Sequence, residues 1–195
     1  MIKLHRLVSC VFIYQLILID SLAHEGSAKG GFGDGFVHPV VGLDHLLAMI
    51  CVGLLSVWIG GKTVWTAPSF FVATMLAGAL AGIRGVEIAM VEEGIAFSVM
   101  VLGACLAFGK SAPTLVFMVI VGIFGFFHGM AHGMEMPAAS DPFLFASGFM
   151  FGSASIHLTG VGVGFFAFAW KFGKPMLRLA GVLIALVGVA FMQNV

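Results

Sequence analysis

Residues 113–137 read PTLVFMVIVGIFGFFHGMAHGMEMP, from Pro113 to Pro137. Between Thr114 and Phe127 no side chain carries a charge, and then His128, His132 and Glu135 follow within eight residues. Spacings of four and three put all three on one face of an α-helix. The run is long enough to cross the hydrocarbon core, for which a helix needs about 20 residues. It predicts a transmembrane helix with a polar stripe at one end. Ionisable groups inside a membrane are costly, face the bundle interior and mark function. A second run, HPVVGLDH from His38 to His45, opens another apolar segment. Two such runs point to metal chemistry within a membrane.

The composition agrees. Hydrophobic residues make up 61% and charged residues 9%, against about 25% charged in soluble domains. The chain reads as an all-α, polytopic membrane helix bundle; the ten-residue alternating segments of a transmembrane barrel are absent. A formal net charge of zero offers no basic surface for nucleic acid, and no P-loop signature is present for a nucleotide. Cys10, Cys51 and Cys105 each sit in an apolar segment without a CxxC pair, so they read as packing residues. An intramembrane metalloprotease calls for HExxH, but Gly129 follows His128, and no enzyme is expected. Haem with His45, His128 or His157 as an axial ligand is a rival that an absorbance spectrum would reveal.

Taken in order, residues 1–23 read as a cleavable signal peptide: Lys3 and Arg6 precede an apolar stretch from Leu7 to Ile19 and a small-x-small site, Ser21-Leu22-Ala23. An uncleaved anchor is the alternative. Residues 24–37, with five glycines, are expected to be a flexible extracytoplasmic tail headed by His24. Residues 38–195 are expected to form six transmembrane helices: Pro39 to Ile59, Pro68 to Ile83, Val86 to Phe108, Pro113 to Met136, Pro142 to Trp170 and Pro175 to Met192. With the tail outside, Lys62, Lys110, Lys171, Lys174 and Arg178 fall inside and only Lys29 and Arg84 outside, as the positive-inside rule requires. The C-terminus then also lies outside.

Small-xxx-small spacings recur at Gly78/Gly82, Gly125/Gly129/Gly133, Gly148/Gly152 and Gly160/Gly164, and such spacings let helix backbones approach closely. In the expected topology His38 and Glu135 lie at the outer surface, with His45 and His128 about 10 Å deeper at 1.5 Å per residue. Two tiers of metal ligands follow. Asp44, His45, His128 and His132 form the deeper one; His38, Glu135 and His24 form a capture position. His38 and His45 are too far apart along one helix to share an ion. Glu93 and His157 are weaker candidates for the pathway. Imidazole with carboxylate suits borderline divalent ions such as nickel, cobalt or zinc rather than calcium or magnesium.

The two runs resemble the signature motifs HPxxGxDH and FHGxAHGxE of the HupE/UreJ family of nickel and cobalt permeases, matching at His38 to His45 and Phe127 to Glu135. The segments Glu93 to Ser98 and Ile156 to Gly160 are similar to further family blocks, with Ile156 where a leucine is expected. The resemblance covers essentially the whole chain. It implies uptake of nickel or cobalt across a bacterial inner membrane by facilitated diffusion or secondary transport, in the service of hydrogenase, urease or cobalamin systems. No permanently bound cofactor is implied, and the transported ion is the ligand. The lipid bilayer is the other partner, and a homo-oligomer is compatible with the sequence. A binding, sensing or metal-delivery protein without transport is the alternative.

Overall fold

The computed structural model describes residues 31–109, 113–135 and 141–195; the signal peptide, Cys10, His24 and Lys110 lie outside them. The described residues form α1 (Phe32–Val41), α2 (Leu43–Ile59), α3 (Thr63–Ile83), α4 (Val91–Phe108), α5 (Thr114–Met134), α6 (Pro142–Ala169) and α7 (Gly173–Met192). Helices α3 to α7 are each long and apolar enough to cross a membrane, five in all, or six if α1 and α2, bent by 84° at their break, are counted together as one span. The architecture fits a multi-pass membrane protein. Its outer faces carry exposed Leu115, Phe151, Leu179 and Leu186, side chains that lipid accommodates.

Several expected element bounds need correction, including the third span, which starts at Val91 and not Val86. The first span is not one helix from Pro39, and the tail expected through Val37 is helical from Phe32. The cause is tertiary. Gly35 lies against the Phe145 carbonyl, while Gly148 and Gly152 lie against the carbonyls of Phe32 and Phe36, leaving no room for a Cβ. Backbone-to-backbone packing of α1 on α6 thus outweighs the poor helix propensity of a Gly-rich segment. The break falls at Gly42, whose extended backbone (ψ 108°) ends one helix and caps the next. The second expected span starts earlier, at Thr63, and Pro68 sits inside it. Proline leaves the carbonyl one turn earlier without its helical donor, and Ser56 Oγ lies 3.4 Å from that Val64 oxygen.

The expected glycine pairings form. In α5, Gly125 faces Phe71 and Thr74, Gly129 faces Met75, and Gly133 faces Ala79, so α3 and α5 run parallel in close contact. Gly53 of α2 meets His157 and Gly160 of α6, and Gly164 meets Val57, again a parallel pair. Gly103 packs on Gly181 and Ala185, and Gly188 on Met100, so α4 and α7 are antiparallel. These directions are those of a chain whose successive long helices alternate in direction from α2 to α7. Met49, Val52, Phe71, Met75, Val99 and Val121 fill the interior.

The two ends of the bundle differ in charge. Asp34, Asp44, Glu87, Glu92, Glu93, Glu135 and Asp141 gather at one end, with Arg84 as the only described cation there. Lys62, Lys171, Lys174 and Arg178 occupy the other. Tryptophans mark the basic end: Trp58 donates through Nε1 to Gly109 O at 3.1 Å and lies 5.9 Å from the Arg178 guanidinium, and Trp65 and Trp170 are exposed. Interfacial tryptophan and cation placement of this kind is general in membrane proteins.

Candidate metal site

The HPVVGLDH run straddles the bend. Because the chain turns at Gly42, His38 on α1 and His45 on α2 both reach the polar stripe of α5. His38 meets His132 with ring centroids 4.8 Å apart; His45 lies 4.2 Å from His132 and 4.5 Å from His128. Glu135, just past the end of α5, approaches His38 Nε2 at 3.7 Å and His132 Nδ1 at 4.0 Å. Ligand atoms of His38, His132 and Glu135 lie within 4.8 Å of one another. Around an ion with bonds of about 2.1 Å, neighbouring ligand atoms sit about 3.4 Å apart; the set is a slightly opened version of that geometry.

Hydrogen bonds prepare the deeper rings. His45 Nδ1–H donates to Asp44 Oδ1 at 2.7 Å, and the His45 backbone N–H donates to the same oxygen at 2.8 Å. Asp44 therefore fixes the tautomer of His45 and leaves Nε2 bare, and Nε2 has no hydrogen-bond partner. The Ser98 hydroxyl donates to Ile95 O at 2.7 Å. Having one proton, it accepts from His128 Nε2–H at 2.9 Å, and His128 Nδ1 is left bare. Neither nitrogen of His132 has a partner. These three rings are buried, His128 completely. A buried nitrogen without a partner costs about 1–3 kcal/mol, and each ring keeps one lone pair to which a divalent ion would bind.

Aromatic rings enclose the set. Phe149 lies 4.1 Å from the His132 ring, Phe145 5.5 Å from His38, and Phe71 5.5 Å from His128. A small cleft of ≈ 20 Å³, bordered by Met75, Ala79, His132 and Phe149, has room for about one water. The larger groove, ≈ 510 Å³ between α3 and α5, is lined by Phe70, Leu115, Val119 and other apolar groups; it faces lipid and carries no ligand set. Beyond the membrane-spanning part of α5, contact with His38 holds the Glu135 carboxyl below the usual carboxylate range, so the mouth of the site is anionic at neutral pH.

Comparison with known proteins agrees with the motifs. The signature of the family described as HupE / UreJ protein matches residues 12–191. The chain belongs to the HupE/UreJ family. It is 41% identical over 170 residues to Protein HupE of Rhizobium leguminosarum bv. viciae, covering 87% of this chain and 88% of that one. No solved structure matches.

Within this HupE/UreJ chain, the structure brings together His38, Asp44, His45, His128, His132 and Glu135, and adds two features that spacing could not supply. Asp44 acts on His45 through Oδ1 instead of facing the rings as an independent ligand. Ser98 belongs to His128. Glu93 lies in the first turn of α4 beside Glu92, partly buried where its neighbour is exposed. Helical geometry turns consecutive residues about 100° apart. His157 lies apart from the six, behind Phe71.

Proposed function

We propose that the protein is a permease that takes up a divalent transition-metal ion, nickel or cobalt, through the histidine-lined interior of the bundle. The observation that carries this reading is the convergence of His38, His45, His128 and His132 from three helices beside Glu135, with buried, unpartnered ring nitrogens on His45, His128 and His132. Such nitrogens bind borderline divalent ions, and their low number of fixed oxygens disfavours calcium and magnesium.

The acidic end collects cations, and the positive-inside rule supports placing it on the periplasmic face of a bacterial inner membrane with the basic end in the cytoplasm. The N-terminal tail and the C-terminus are then periplasmic. An ion captured between His38, His132 and Glu135 exchanges ligands to His45 and His128 without leaving imidazole. No nucleotide is used; passive flow or coupling to another ion drives the cycle. A binding, sensing or metal-delivery role without transport is the competing reading.

The test is uptake of labelled nickel and cobalt, each at trace concentration, in cells expressing wild type or His132→Ala at matched membrane levels. Uptake of one ion that is lost in the variant supports transport through His132. Well-expressed wild type that accumulates neither ion refutes the permease reading, and metal binding by such protein would favour the competing one.

A further inference from the structure

Five of the chain's 7 histidines lie in the described residues, and four of them meet ring to ring. The fifth, His157, is one aromatic ring further on. Phe71 packs against His128 at 5.5 Å on one side and against His157 at 4.9 Å on the other. His157 also lies further from Glu135. Its carbonyl is against Gly53, about two helical turns beyond His45 on α2, and Phe71 sits against Gly125, short of His128 on α5.

The chemistry of His157 repeats that of the site histidines. Its Nδ1–H donates to Ser153 O at 2.7 Å, an acceptor that fixes the tautomer. Its Nε2 is then a bare lone pair, completely buried and without a partner. The same device prepares His45 through Asp44 and His128 through Ser98. Ser153 Oγ, one turn earlier on the same helix face, is also buried and unpartnered. A histidine serving only to pack would gain nothing from a bare nitrogen at this depth, where an unmade hydrogen bond costs about 1–3 kcal/mol.

We infer that the buried His157 Nε2 forms a second ligand station for the same divalent ion, separated from the His45/His128 station by the Phe71 ring. Transfer is ligand exchange: the bond to His128 Nδ1 or His45 Nε2 breaks as the bond to His157 Nε2 forms, with Phe71 moving aside. No proton or electron changes hands. The station carries the ion toward the basic end, where the described residues offer no other imidazole or carboxylate.

This inference rests on the permease reading, and the experiment separates the two. His157→Asn keeps an amide donor for Ser153 O but removes the bare nitrogen; His157→Leu removes both. Metal affinity of purified protein in lipid nanodiscs is measured by calorimetry with nickel or cobalt alone, beside uptake in cells at matched expression. The expected result is cluster affinity within about twofold of wild type in both variants, because the Phe71 ring stands between His157 and His128, with uptake reduced about tenfold or more in both. Wild-type uptake by His157→Asn would show a hydrogen-bonding role and overturn the inference while the permease reading stands. Wild type that takes up neither metal removes the ground of both. Where neither variant folds, cobalt anomalous diffraction from wild-type crystals at saturating metal decides: a peak at bonding distance from His157 Nε2 supports the station, and peaks confined to the outer cluster overturn it.

Discussion

Gly129 stands between the two site histidines of α5 and against the backbone of α3, which makes Gly129→Ala a sharp perturbation. A Cβ there would collide with the Met75 carbonyl oxygen and lie 2.6 Å from its carbon and 2.9 Å from Ala79 N. Ordinary contact begins near 3.4 Å, so the helices must separate by on the order of 1 Å. Main chain cannot rotate away. Overpacking of this kind costs about 1–3 kcal/mol and improved helix propensity returns up to about 1, leaving a net loss of roughly 1–2 kcal/mol. Gly122, seven residues earlier on the same helix, is the control. Its Cβ would meet only the ring of Phe70, at 2.6 Å, and that ring is partly exposed and free to turn. Gly122→Ala is expected to be within about 0.5 kcal/mol of wild type. Because separation of α5 from α3 also shifts His128 and His132, metal affinity should fall about 10–100-fold in Gly129→Ala alone. Unfolding in detergent micelles and calorimetry with nickel or cobalt read the two effects. Gly129→Ala with the wild-type unfolding midpoint and wild-type affinity would refute the reasoning.

Four further outcomes are expected. Asp44→Ala frees the His45 tautomer and should weaken metal binding about 10–100-fold, with Asp44→Asn in between because its amide oxygen still accepts; equal affinity in all three would show that Asp44 does not act through His45. Ser98→Ala should weaken binding about tenfold through His128 while Ser98→Thr keeps it, and calorimetry decides. Uptake should fall from neutral to mildly acidic pH, because a proton competes for the imidazole lone pair that the metal needs. Glu135, held below the usual carboxylate range, stays ionised throughout and does not cause the loss; a flat profile would argue against imidazole ligation. Met90 is the one described non-glycine residue with positive φ, 65°, and it is exposed. Met90→Gly should therefore raise unfolding stability by about 0.5–1 kcal/mol, and an unchanged or lower midpoint would show that no strain resides there.

The polar stripe of α5 was legible because helical periodicity alone puts His128, His132 and Glu135 on one face. The glycine pairings were legible for the same reason. Spacing was silent about which atoms of those residues are free. That depends on partners remote in sequence, such as Ser98 on α4 for His128, or on local turns whose conformation the sequence leaves open, as with Asp44 and His45. The helix at Phe32–Val41 was hidden because its stability comes from Gly148 and Gly152 of α6, more than 100 residues away, while its own glycines argue for a tail. Pro39 misled for a related reason: it looks like a helix start, yet it lies inside α1 and packs beside Gly152.

The bend at Gly42 changes what the first motif can do. On one straight helix His38 and His45 would be seven residues and about 10 Å apart, and they would serve separate tiers. Turned by 84°, they flank the same ring, His132, from two sides. His132, neither of whose nitrogens has a hydrogen-bond partner, thereby touches both sets, and in the proposed route its one lone pair is the ligand common to the His38/Glu135 side and the His45/His128 side. Gly42 also has a steric task, since a Cβ there would press at 3.0 Å on both Asp44 Oδ1 and His45 Nδ1. Any larger residue would push apart the hydrogen-bonded pair that orients His45. The glycine in HPVVGLDH thus sets the geometry of the two histidines, and the motif is a bend with one proposed ligand on each arm.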